Sequence, residues 1–169
     1  GLLVIPFWTF ITIKTSKRFV WMIGSLFLSL ALLAFLFNPA SSQNMVILNY
    51  IAMSFGASAF AITFWGMLPD TVEYGEWKTG HRVESMVFGF ATFAQKSAVA
   101  LSALVLGVLL DAIGYKAGAV QSEETLRGLR MIIVFVPLAG VITSAACIYF
   151  YSLSPQRHAN IVAALRRQT

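Results

Sequence analysis

Long apolar runs broken by short polar or charged connections organise this chain. The uncharged or nearly uncharged stretches are Phe19–Phe37, Met45–Leu68, Ser85–Leu110 and Met131–Leu153. Each approaches or exceeds the roughly 20 residues that a helix needs to cross a bilayer. Gly1–Ile13 is also apolar but too short to span, and reads as the end of a truncated helix. Backbone in lipid must satisfy its own hydrogen bonds, which leaves helices or a closed barrel. Barrel strands alternate over about ten residues, whereas these runs are longer and uniformly apolar. The expected fold is all-α, a polytopic transmembrane helical bundle.

The connections alternate in charge. Lys14, Lys17 and Arg18 fall in the first, Lys78 and Arg82 in the third, and Arg157, Arg166 and Arg167 in the tail. The second, Asn38–Asn44, is uncharged, and the fourth carries Lys116, Arg127 and Arg130. Basic residues concentrate on the cytoplasmic side of membrane proteins. Residues 69–84 are therefore expected to form a cytoplasmic charged loop and 111–130 an extracytoplasmic one, with the C-terminus inside. Pro6 and Pro137 fall within expected helices, which membrane proteins tolerate. Ser154-Pro155 has the form of an N-cap followed by proline at the first helical position. It opens an amphipathic tail, 154–169, with Ile161, Val162 and Leu165 on one face.

Composition agrees and removes alternatives. The chain is 58% hydrophobic and 11% charged, against about 45–50% and 25% for a soluble domain. Disorder, coiled coils and disulfide scaffolds fail on those values, and Cys147 alone permits no disulfide or cysteine metal site. The net charge of +5 follows topology and gives no nucleic-acid signal. Basic residues come after Gly1–Ile13 rather than before it, so that run is not a secretory signal. Beginning at glycine, the chain reads most simply as a fragment of a longer protein. No nucleophile-elbow, phosphate-loop, H-E-x-x-H or dinucleotide fingerprint occurs, which argues against an enzyme, a bound cofactor or an ATP-driven pump.

Lys96 lies near the middle of Ser85–Leu110, where a charge costs about 2.5–3.5 kcal/mol on insertion scales. At helical spacing it shares a stripe with Ser85, Gly89, Thr92, Ala100, Ala103 and Gly107, all small or polar. It is expected to face protein or water, either as a structural ion pair or on a substrate or ion pathway. Asp70, Glu73, Glu76, Lys78, Arg82 and Glu84 crowd within fifteen positions, and Asp70 and Glu73 share a face if the preceding helix continues. A metal site using His81 fits neither a calcium loop of the D-x-[DN]-x-[DN]-G type nor H-E-x-x-H. A solvated loop or a gate of ion pairs that form and break remain, of which the gate is favoured. Small residues crowd Met45–Leu68, from Ala52 to Ala61, and fit close packing or a sliding helix equally well. Tyr50, Phe64 and Trp65 are candidates to stack on a sugar ring or to anchor at the interface. His158 is expected to be solvated.

The segment LPDTVEYGEWKTGHRVES, Leu68 to Ser85, resembles the loop between the tenth and eleventh helices of the glycoside-pentoside-hexuronide:cation symporters, the melibiose-permease-like family of the major facilitator superfamily. An acidic residue, D/E-Y-G-E, a basic residue, R-x-E and an intramembrane lysine follow in order, here Asp70, Glu73-Tyr74-Gly75-Glu76, Lys78, Arg82-Val83-Glu84 and Lys96. Gly107–Tyr115 also fits the end of the eleventh helix. Where this chain has Glu73, melibiose permease has aspartate. The resemblance implies the C-terminal part of such a fold, from the end of the eighth helix (1–13) through the ninth (19–37), tenth (45–68), eleventh (85–110) and twelfth (131–153). It implies a multi-pass protein of the cell (inner) membrane that couples a sugar or glycoside to a monovalent cation, Na⁺ or H⁺, by alternating access. Lys96, with Thr92, Tyr50 and Trp65, would lie on the substrate and cation pathway. Asp70, Glu73, Glu76, Arg82 and Glu84 would form the inner gate. The family's main acidic cation ligands belong to the N-terminal half, outside this chain. A lipid or lysolipid carrier of the same fold, or a non-transporting subunit or sensor, stays open as an alternative.

Overall fold

The computed structural model describes residues 4–38, 42–151 and 153–167. Among them the regular structure is helical: α1 (Ile5–Lys14), α2 (Lys17–Leu36), α3 (Gln43–Thr79), α4 (Glu84–Ala112), α5 (Glu123–Tyr149) and α6 (Pro155–Leu165). Helices α2 to α5 are long and apolar enough to cross a membrane. The expected stretch Gly1–Ile13 is described only from Val4. Part of the second connection, 39–41, and the tail end, 168–169, also lie outside the described residues.

Caps set several boundaries. The Ser16 side chain accepts from the Phe19 N–H at 3.1 Å and starts α2 immediately after α1. Ser122 does the same for α5 through the Thr125 N–H. Ser154 accepts from the Arg157 N–H at 3.2 Å, with Pro155 opening α6, as its sequence indicated. Each bond satisfies a backbone donor that has no partner inside its helix. Pro6 sits in the first turn of α1 rather than in mid-helix, whereas Pro137 is inside α5.

Two boundaries differ from expectation. The stretch 69–84 is not mainly a loop: α3 passes through Pro69 and continues to Thr79. Gly80, left-handed at φ 73°, ends it and donates its N–H to the Glu76 carbonyl at 2.8 Å. A polar sequence marks where a helix leaves lipid, not where it stops, so only 80–83 connects α3 to α4. At its 37 residues, α3 is about 55 Å long, against about 30 Å of hydrocarbon. Likewise the connection expected at 111–130 shrinks to 113–122, because α5 begins at Glu123.

The packing centre is the antiparallel contact of α2 and α3. Asn49, Met53, Gly56, Ala59, Thr63, Met67 and Asp70 are all buried on α3, and their spacing of three or four makes one stripe. A Cβ added at Gly56 would lie 2.8 Å from the Leu28 backbone nitrogen, and one at Gly24 would lie 2.6 Å from the Ala59 Cβ. The two backbones touch because both helices present glycine there, the small-residue solution to packing in a medium as apolar as the side chains. Asn49 Nδ2 fixes one end by donating to the Ala31 carbonyl at 3.1 Å. Trp8 of α1, 1% exposed, donates its indole N–H to the Phe55 carbonyl at 3.0 Å. Close packing therefore accounts for Gly56 and Ala59, while Ala52, Ala57 and Ala61 on the same helix stay exposed. Helix α4 has no buried residue among those described.

Overpacking such a contact costs about 1–3 kcal/mol. Gly56→Val in the full-length protein is expected to lower the thermal unfolding midpoint in detergent, while Gly75→Ala, with open space around its Cβ, leaves it unchanged. Equal midpoints would show that the helices do not approach as closely as described.

Candidate functional site

The buried stripe of α3 ends at Asp70, opposite the first residue of α2. Lys17 Nζ lies 2.7 Å from Asp70 Oδ1, 2.6 Å from Oδ2 and 2.7 Å from the Gly66 carbonyl. An ammonium has three N–H donors, and these acceptors use all of them. The Asp70 side chain is 11% exposed and that of Lys17 30%, so the pair is only partly screened by solvent. One helical turn further, Glu73 Oε2 lies 2.5 Å from His158 Nε2 of α6, and Asp70 Oδ1 lies 3.5 Å from the same nitrogen. Arg157, beside His158, places its guanidinium 5.8 Å from the centre of the Tyr74 ring. Helices α2 and α6 thus converge on one acidic face of α3.

Next to this cluster is a cavity of about 160 Å³ bounded by Thr12, Ser16, Lys17, Asp70, Tyr151 and His158, among others. The Tyr151 hydroxyl is buried with no hydrogen-bond partner among the described residues. Burial pushes this phenol up to about 12, with the Asp70 charge adding to the effect. It therefore stays a neutral donor throughout the ordinary pH range.

A second charged group is separate from the first. Arg82 spans the 80–83 connection, 2.9 Å from Glu76 Oε2 and 3.0 Å from Glu84 Oε2. The hydrogen bond to Glu76, then that to Glu84, holds its pKa above the usual arginine value. Arg82 and Glu84 are exposed and Glu76 is half-buried, and pairs so placed contribute little to stability. The five residues expected to act together therefore divide: Asp70 and Glu73 join Lys17 and His158, and Glu76 and Glu84 join Arg82.

Neither cluster includes Lys96. Its side of α4 is exposed and it has no ion-pair partner among the described residues. Phe90, Ala91, Ala94 and Gln95 turn instead toward a cleft of about 570 Å³, whose other walls include Trp21, Phe60, Phe64 and Trp65. At 3.6 residues per turn, Lys96 and Thr92 project from the other side of α4. Thr92 Oγ1 donates to the Phe88 carbonyl at 2.8 Å. Tyr50 sits with its ring 6.1 Å from that of Phe35, about 22 Å along α3 from Trp65. The expected pathway residues Lys96, Thr92, Tyr50 and Trp65 are thus not gathered into one site within this chain.

Sequence pattern alone does not place Lys17 or His158 in this half-buried cluster. Lys17 counted only toward topology, and His158, expected to be solvated, instead bonds Glu73. The antiparallel neighbours α2 and α3 place Lys17 level with Asp70, a signal available once α3 is continued past Pro69. His158 gave no such signal, because nothing in the sequence says where α6 folds back. His81 lies apart, with Nδ1 2.9 Å from the Thr79 carbonyl. The carboxylates and imidazole of the cluster lie close together, but Lys17 holds both oxygens of Asp70, so the group is an ion-pair network and no metal is assigned to it.

Residues 1–155 match the family model described as MFS/sugar transport protein. The chain belongs to that family. As a member of this sugar-transport family with four membrane-length helices, it is a multi-pass membrane protein. It is 34% identical, over 99% of its length, to a candidate sulfoquinovose importer of Escherichia coli (strain K12). It is 35% identical over 85% to a candidate 2,3-dihydroxypropane-1-sulfonate exporter of the same organism. A glucuronide carrier protein homolog, also from that strain, is 28% identical over 90%. The chain spans about a third of the length of these relatives, 35%, 30% and 33% respectively.

Pairs in direct contact couple by about 0.5–3 kcal/mol. A double-mutant cycle of Lys17→Met and Asp70→Asn, read by thermal unfolding of the full-length protein, is expected to fall in that range. Strict additivity would mean that the two side chains do not meet.

Proposed function

We propose that the full-length protein is a secondary transporter that moves a sugar or glycoside together with Na⁺ or H⁺ by alternating access. The observation that carries this reading is the uncovered lysine-bearing face of α4 in a chain that spans a third of its family relatives. A charge in mid-helix is tolerated where it meets a partner or water. In the full-length protein the Lys96 face would meet the rest of the transporter, with substrate and cation bound between the two parts. Thr92 lies on that face. Trp65 lines the aromatic cleft on the other side of α4, and Tyr50 is distant from both.

The relatives favour an anionic sugar or sugar derivative. Sulfoquinovose and 2,3-dihydroxypropane-1-sulfonate carry sulfonates and glucuronides carry a carboxylate, each a natural partner for an ammonium. The charged end of the bundle is assigned to the cytoplasm by its excess of lysine and arginine, in the cell (inner) membrane. There Asp70, Glu73, Glu76, Arg82 and Glu84 serve as the inner gate. All their present partners belong to this chain, so these pairs brace one bundle. Gating then consists of the carboxylates exchanging partners with basic groups in the remainder of the protein.

Uptake into vesicles by the full-length protein, across sulfonated, carboxylated and neutral glycosides, tests the reading. Accumulation is expected to collapse when the Na⁺ or H⁺ gradient is removed. Lys96→Ala is expected to lower coupled uptake of the anionic sugar by at least about tenfold, the equivalent of one charge-assisted hydrogen bond. Intact uptake in that variant would remove Lys96 from the pathway. Unchanged inward and outward accessibility in Arg82→Ala and Asp70→Asn would remove the gate.

A further inference from the structure

Helix α6 is held to α3 by contacts of different kinds. Ile161 is 3% exposed, Arg157 lies over the Tyr74 ring, and His158 bonds Glu73 and approaches Asp70. Only the last of these changes with a proton. We propose that His158 is a proton-operated latch, a positioning residue that clamps α6 to Glu73 and Asp70 as imidazolium and releases it as neutral imidazole. The latch rests on the gating role proposed above, since it sets how freely these two carboxylates can change partners.

Charge balance gives the reason. Asp70 and Glu73 face His158 from α3, Lys17 and Arg18 from the start of α2 and Tyr151 from the link between α5 and α6 border the same cavity, and Arg157, its neighbour on α6, lies over the Tyr74 ring. Arg18 lies 5.1 Å from the centre of the Tyr149 ring, and the three Lys17 donors are already taken. With His158 charged, two cations meet two carboxylates. With His158 neutral, Lys17 stays on Asp70 and the Gly66 carbonyl, and Glu73 keeps a hydrogen bond from an uncharged imidazole without the attraction of an ion pair. Imidazole is the side chain whose unperturbed ionisation falls between pH 5 and 8. The cavity that borders His158, Lys17 and Asp70 gives water and protons a place beside the ring. Acidification is therefore expected to tighten α6 and slow partner exchange, and neutralisation to free it.

The test uses the full-length protein in proteoliposomes, otherwise free of reactive cysteine, with a single cysteine at buried Ile161 or at exposed Ala163. The ratio of maleimide labelling at the two positions cancels the pH dependence of the thiol itself. With His158 present, this ratio is expected to rise about fivefold between pH 6 and pH 8, the loss of one partly exposed ion pair. H158Q should give a high, flat ratio and H158R a low, flat one, and substrate exchange should lose its pH profile in both. A flat ratio in the wild type, or the same ratio in H158Q and H158R, overturns the latch. If that happens while Asp70→Asn still changes accessibility, the gate stands without the latch. If the ratio responds to His158 but Asp70→Asn and Arg82→Ala leave accessibility unchanged, the latch holds and the gate reading fails.

Discussion

The contact on which the structure depends is the one where the backbones of α2 and α3 touch at Gly24 and Gly56. In a membrane, apolar side chains gain little by leaving lipid for each other, so helices associate where close approach adds dispersion contacts. Glycine on both helices makes that approach available, and a Cβ on either would meet its neighbour below ordinary contact distance. The contact also fixes register. With Gly56 opposite Leu28, Asn49 comes level with Ala31 and Asp70 level with Lys17. The ion pair is thus a consequence of how two small residues set the antiparallel alignment.

The apolar parts of the helices were legible because hydrocarbon thickness imposes a length and a composition on them. The Ser154-Pro155 start of α6 was legible because a cap is a local device, as was the shared face of Asp70 and Glu73. Legibility ended where an outcome depended on distant chain. The continuation of α3 past Pro69 is favoured by packing, which sequence pattern cannot weigh against the missing proline N–H. The partners of Glu73 and Asp70 come from residues fifty or more positions away, Lys17 and His158. Lys96 stood out by its cost in lipid, yet no described residue pairs with it.

The chain presents two kinds of surface. One is finished within the chain: the acidic face of α3, with its donors on α2 and α6 in place. The other is unfinished, with α4 exposing a polar stripe that no described residue covers. The packing of the bundle and the proposed substrate pathway therefore rest on different elements.

The length of α3 has a mechanical consequence. Measured from the glycine contact to Thr79, the helix forms an arm of about 35 Å, the last ~14 Å of it beyond the Lys17–Asp70 pair where the hold of α2 ends. A rotation of about 5° at that fulcrum displaces the far end by about 3 Å, the length of a hydrogen bond. Glu76 and Arg82 at the tip would travel furthest, and Asp70 nearer the pivot would travel less. A motion too small to disturb the packed interior is thereby amplified into one large enough to make or break contacts at the rim.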